Sequence, residues 1–125
     1  MFSERDLHAL RNGMNVLFKP FGVRGKVSTH AVQRSKERGQ TFELNDLVFS
    51  LAAFKDQEKD KIKQVMATNS VWRGVIKDHR NFINIPFDLN GRLPGFFTIV
   101  TVMRLNPDRF KNDEPWREKE WVHIR

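Results

Sequence analysis

The sequence predicts an α+β fold in which two or more helices pack on a small antiparallel β-sheet, and two patterns carry that expectation. Leu44, Leu47, Val48, Leu51 and Phe54 recur at helical spacing, the mark of a helix with one buried stripe. After Asn69-Ser70 the period changes. Residues 71–78, 82–89 and 96–103 are short runs rich in β-branched and aromatic side chains, each bounded by turn formers, which reads as three strands in a meander. The chain of 125 residues carries 11 Phe and 3 Trp, enough apolar side chain for one core and too little length for a second. One domain spanning 1–125 is expected.

Taken in order, Ser3 caps a helix through Arg11, with Leu7 and Leu10 on one face and Gly13 as its stop. Residues 19–27 then read as a basic loop, because Pro20, Gly22 and Gly25 break regular structure among Lys19, Arg24 and Lys26. A helical pair follows over 29–67. Ser28 or Thr29 caps its first member and Gly39 ends it, while the second begins near Thr41. Beyond Phe54 the charged run 55–63 extends that second helix as a solvated, ion-paired arm, with Ile62, Val65 and Met66 still facing inward.

The β-meander covers 71–104, with Asn90-Gly91 marking a reversal and Pro86 predicting an edge position or a bulge. The last segment, 105–125, is dense in charge. Asn106-Pro107 breaks the chain there, and Pro115 stands at the first turn of a short helix carrying Trp116 and Trp121.

Lys and Arg number 22 against 15 Asp and Glu, for a net charge of +7, which favours a polyanionic partner. The excess draws mainly on residues 1–40, with eight basic and three acidic side chains, and on residues 71–125, with ten and seven. Cysteine is absent, which excludes disulfides, thiolate catalysis and cysteine-containing metal sites. The four histidines form no H-x-x-x-H pair and no carboxylate cluster has metal-ligand spacing, so neither a metal nor another cofactor is expected. No phosphate-binding glycine loop, dinucleotide fingerprint or serine nucleophile elbow is present. The charged N-terminus and the short apolar run 47–54 fit neither a secretory signal nor a membrane span. A cytoplasmic protein is the expectation.

His30, Arg34 and Arg38 stand four residues apart in succession, so on a helix they form one stripe. Three such cations repel one another unless an anion sits against them, or unless acidic neighbours such as Glu37 or Glu43 answer the charge. A phosphodiester fits. One His, several Arg and no thiol suit metal-independent RNA cleavage, in which a base takes the 2′-hydroxyl proton and that oxygen attacks phosphorus. Guanidinium groups then stabilise the charge that builds on the phosphate.

The run Ser28-Thr29-His30, the Arg34 and Arg38 repeats, Gly39, the second amphipathic helix and the strand Phe97-Thr98-Ile99-Val100-Thr101-Val102 together resemble the RegB endoribonucleases of T-even phages. They are also similar to the wider RelE and BrnT toxin-like ribonucleases. The resemblance spans roughly residues 27–104 and implies helices on an antiparallel sheet, phage-encoded cutting of mRNA in the host cytoplasm, and His30 as the catalytic histidine. It also implies a second catalytic histidine at the position of Ser50, where this sequence has none.

His79, beside Arg80 at the start of the second strand, is the candidate replacement acid, and Arg34, Arg80 and Arg104 are candidates for the electrostatic work. Lys19, Arg24, Lys26, Arg80, Thr101 and Arg104 are the candidate phosphate ligands, and Phe21 or Trp72 the candidate base-stacking aromatics. The partner expected is mRNA, with a ribosome or another host protein as helper and an acidic antitoxin-like protein as a covering partner. The alternative is a protein on the same scaffold that binds RNA or inhibits a host protein without catalysis.

Overall fold

The computed structural model describes residues 4–29, 44–104, 106–112 and 120–125. They form an α+β structure on one open, mixed sheet. The meander comes first in the logic of the fold. β2 (Val71–Asp78) and β3 (Ile83–Asn90) pair antiparallel over their full length, and β4 (Gly95–Ile99) returns antiparallel to β3. The two-residue β5 (Met103–Arg104) pairs with the start of β3.

This hairpin core is flanked by two strands absent from the sequence expectation. β1 (Val23–Val27) lies parallel to β4, and β6 (Glu120–Ile124) lies parallel to β2, so the order is β1-β4-β3-β2-β6. The basic loop of 19–27 is therefore a 3-10 turn, Lys19–Phe21, followed by a strand. Gly22 ends that turn in the left-handed conformation, φ 72°, with its N–H on the Lys19 carbonyl, a conformation that suits glycine.

Pro86 sits in β3, a central strand that pairs with β2 without interruption, so the edge reading does not hold, and the extra residue lies opposite it, in 100–102 between β4 and β5. Its carbonyl accepts the Val100 N–H at 2.9 Å, and the β4 ladder stops at Ile99 and resumes only at Met103. A residue's N–H and C=O point to the same side of a strand. The proline nitrogen, which has no proton to donate, thus faces the interruption.

Three helices cover one face of the sheet. α1 (Glu4–Phe18) runs through Gly13 instead of stopping there, because Leu10, Met14 and Phe18 continue one buried i, i+4 stripe. α2 (Leu44–Gln57) buries Leu47, Leu51 and Phe54 as the periodicity requires. The charged arm is a separate helix, α3 (Lys59–Ala67), which breaks from α2 at Glu58 and buries Ile62 and Val65. Phe54 packs tilted against Trp72, Phe87 and Phe97, and Phe18 stacks on Phe97 with centroids 4.6 Å apart. Aromatic pairs of this kind add to the burial of their large apolar areas.

The C-terminal expectation is corrected. A short helix, α4 (Pro107–Asn112), begins at the proline read as a break, and Trp121 lies on strand β6 instead of a helix. Trp116, like the first helix of the predicted pair, lies outside the described residues. α4 covers the other face of the sheet at one end, where Phe110 is buried against Lys77 and His79. A side-chain amide bonds each edge strand once: Asn15 Oδ1 accepts the Gly25 N–H at 2.8 Å, and Gln57 Nε2 donates to the His123 carbonyl at 3.1 Å. Among the described residues no helix is long and apolar enough to cross a membrane.

Candidate nucleic-acid interface

Alternation along a strand sends successive side chains to opposite faces. On β1, Val23 faces the core while Arg24 and Lys26 face away; on β4, Phe97 faces the core while Phe96 and Thr98 face away. The parallel register sets Arg24 beside Phe96 and Lys26 beside Thr98. With Arg11 and Asn15 of α1 and Ser28 beyond β1, these four side chains line a groove of about 410 Å³. That volume lies within the range of small-ligand pockets. Lys26 Nζ stands 3.9 Å over the centre of the Phe96 ring, an exposed cation on an aromatic face.

Arg24 and Lys26 are thus candidate phosphate ligands that the fold brings together. Lys19 is exposed on the 3-10 turn and does not line the groove. Arg11, Asn15 and Phe96 were missed in the sequence. Arg11 reads locally as a helix-end cation, and only the nonlocal pairing of β1 with β4 sets Phe96 beside the basic strand. Trp72 is 5% exposed in the core, and Phe21 packs against that core. Neither is placed as a stacking platform, and Phe96 is the aromatic that lines the groove.

Ser28 ends the groove. Its N–H donates to the Ile99 carbonyl at 3.0 Å and its hydroxyl to the Val100 carbonyl at 2.6 Å. Two residues later comes His30, which with Arg34 and Arg38 lies outside the described residues.

A second cluster forms where the chain leaves β2. His79 and Arg80 stand in the turn between β2 and β3, not at the start of a strand. Asp78, fully buried, anchors that turn. Its carboxylate accepts the Arg80 N–H at 2.8 Å, the Asn81 N–H at 3.4 Å, Asn81 Nδ2 at 3.2 Å and the hydroxyl of Ser50. A buried carboxylate is tolerable only when its oxygens are answered in this way. Ser50 is itself fully buried, so the position where the resemblance implies a second histidine is an internal anchor.

The His79 and His123 rings meet, with Nε2 of His79 2.8 Å from Nδ1 of His123. Burial first, then the charges of Arg125, His123 and Lys77, lower the basicity of His79 below the usual imidazole range, and Asp78 opposes them. The Arg80 guanidinium lies 4.9 Å from the ring centre of Phe49, an aromatic 52% exposed on α2. Both border a hollow of about 540 Å³ between α2 and the end of β6. Thr101 is half-buried in the interruption between β4 and β5, and Arg104 is exposed on β5. Neither lines the groove or this hollow. Among the described residues no group of three or more His, Asp or Glu could hold a metal ion.

The topology relates the two clusters. β1, β4, β2 and β6 all run the same way, and the registers set Val27 level with Gly74, so Ser28 leaves the sheet about four residues short of His79 along the strand direction. Three strand spacings, about 14 Å, separate β1 from β2. Ser28 lines the groove, and on α2 Phe49 and Ser50 touch Arg80 and Asp78. Compared with protein-family models, curated proteins and solved structures, the chain matches none of them significantly.

Proposed function

We propose that the chain is a metal-independent endoribonuclease that cuts single-stranded mRNA by 2′-hydroxyl attack, a RegB-like or toxin-like ribonuclease. One observation supports this reading: the fold gathers Arg11, Arg24 and Lys26 with Phe96 along one groove that reaches Ser28, two residues before His30 in the sequence. Arg11, Arg24 and Lys26 hold backbone phosphates electrostatically, and Phe96 offers a ring on which an unpaired base stacks. His30 takes the 2′-hydroxyl proton, and Arg34 and Arg38 stabilise the charge on the phosphate. His79 supplies the proton to the departing 5′ oxygen, in place of the histidine absent at Ser50. DNA, without the 2′-hydroxyl, is bound but not cut.

Cleavage and affinity measured side by side test this. His30→Ala is expected to lower the cleavage rate about 100-fold or more while keeping RNA affinity, whereas Arg34→Ala and Arg38→Ala weaken binding and flatten its salt dependence. Equal loss of binding in all three contradicts the base role of His30.

A second reading, RNA or host-protein binding without cleavage, is favoured by Ser50, whose burial against Asp78 removes that position from any substrate. Absence of cleavage by a chain that still binds RNA would select it.

A further inference from the structure

His123 carries no role in the sequence reading, yet it is the residue that meets His79. β6 lies parallel to β2 with His123 in register with Lys77, and one residue on the His79 N–H donates to the Ile124 carbonyl at 2.8 Å. The two imidazoles are thereby brought to a centroid distance of 5.1 Å, with Nε2 of His79 2.8 Å from Nδ1 of His123. Nitrogens that close share one proton, so one ring donates and the other accepts. Each ring keeps one nitrogen outside the shared bond, Nδ1 on His79 and Nε2 on His123.

We propose that His79 and His123 act as one acid, in which His123 stores the proton that His79 delivers to the leaving oxygen of an RNA phosphodiester. This rests on the ribonuclease reading above. In the singly charged pair, His123 carries protons on both nitrogens and His79 on Nδ1 alone. The Nδ1 proton of His79 passes to the 5′ oxygen as the phosphorus–oxygen bond breaks, and the shared proton moves from His123 Nδ1 to His79 Nε2. Three nitrogen-bound protons become two, and both rings end neutral. The 5′-hydroxyl departs protonated, the phosphorus retains the 2′ oxygen as a cyclic ester, and His30 holds the proton taken from the 2′-hydroxyl.

The surroundings favour this division of labour. The groups facing His79 are His123 of β6 and Arg125 just after it, Lys77 and Asp78 of β2, and the edge-on Phe110 ring of α4 at 5.2 Å. α2 contributes the neutral Gln57, on the His123 carbonyl. Burial and the three cationic neighbours disfavour charge on His79, which makes it a willing donor and a poor store. Asp78 is occupied by Ser50, Arg80 and Asn81. A neighbour that refills His79 removes the conflict between donating readily and being charged at neutral pH.

His123→Gln keeps a hydrogen-bonding side chain that stores no proton. In steady-state cleavage of an RNA oligonucleotide in EDTA, from about pH 5 to 8, the variant is expected to lose about 10-fold or more in kcat at neutral pH. KM is expected to hold, and the alkaline limb of the kcat profile to move to lower pH. Nitrogen-15 NMR of the wild-type imidazoles is the second readout and needs no active variant: His79 and His123 should titrate as a coupled pair sharing one proton. Independent titrations, or a lower kcat with an unmoved pH profile, overturn the shared acid and leave the ribonuclease reading intact. Failure of the wild type to cleave RNA overturns both.

Discussion

The hydroxyl of Ser50 on α2 donates to the buried carboxylate of Asp78 at the end of β2, tying a helix to the turn that carries His79 and Arg80. Both partners are fully buried. Ser50→Ala leaves Asp78 short of one donor and is expected to cost about 1–3 kcal/mol, read as a lower urea midpoint. Ser50→His, which would install the histidine the resemblance implies, overpacks a closed site and is expected to destabilise by at least as much. A His variant as stable as the wild type would show that the site has room.

Gly91 gives a backbone test of the reversal between β3 and β4. A Cβ built there would stand 2.3 Å from the Val65 carbonyl oxygen and 2.9 Å from that of Ser70, while the Gly91 N–H donates to Ser70 at 2.8 Å. Neither contact is a flexible side chain, so Gly91→Ala must shift α3 or break the turn. A loss of about 2 kcal/mol or more is expected, measured by chemical denaturation. A neutral substitution would contradict the close approach.

The groove makes a quantitative prediction about salt. Arg11→Ala, Arg24→Ala and Lys26→Ala each remove a cation from one phosphate path, so each should reduce the slope of log affinity against log salt by about 0.7 for a single strand. Phe96→Ala should weaken binding with the slope unchanged, because stacking carries no counterion release. Lys19→Ala, outside the groove, should do neither. Fluorescence anisotropy with a labelled oligonucleotide at several salt concentrations separates these outcomes.

The depressed basicity of His79 has a consequence for stability. A histidine whose folded pKa lies below its unfolded value of 6.5 binds its proton more tightly when unfolded, so acidification favours unfolding. Its stabilising contribution is complete above pH 6.5 and is lost as pH falls from there through the folded pKa. The urea midpoint should therefore drop on acidification through this window, and His79→Gln should flatten that drop. An unchanged slope in the variant would assign the pH dependence to other groups.

Local patterns made much of this fold legible. The α2 stripe from Leu44 to Phe54 and the three meander strands announce themselves within a few residues, because helix and strand periods are properties of neighbouring positions. The missed elements depend on distant partners. β1 contains Gly25 and follows Pro20 and Gly22, which locally read as breakers, and it is held by β4 some seventy residues later. β6 emerges from a charged stretch and is held by β2 and by the Lys61–Glu120 ion pair.

The same distinction governs the candidate site. Arg24 and Lys26 were visible as cations near one another, whereas Arg11 and Phe96 join them only through tertiary structure. His79 stood out beside Arg80, but His123 is 44 positions away and its ring contact follows from a parallel register that no local pattern encodes.

The most direct test of the central claim is incubation of the purified protein with a mixed mRNA pool in EDTA, followed by mapping of the new 5′ ends and assay for 2′,3′-cyclic phosphate, with His30→Ala alongside. The expected result is metal-independent cuts at defined sequences that leave cyclic phosphate and vanish in the variant. Intact RNA, with or without added ribosomes, would contradict the ribonuclease reading, as would cuts that persist in His30→Ala for its assigned base.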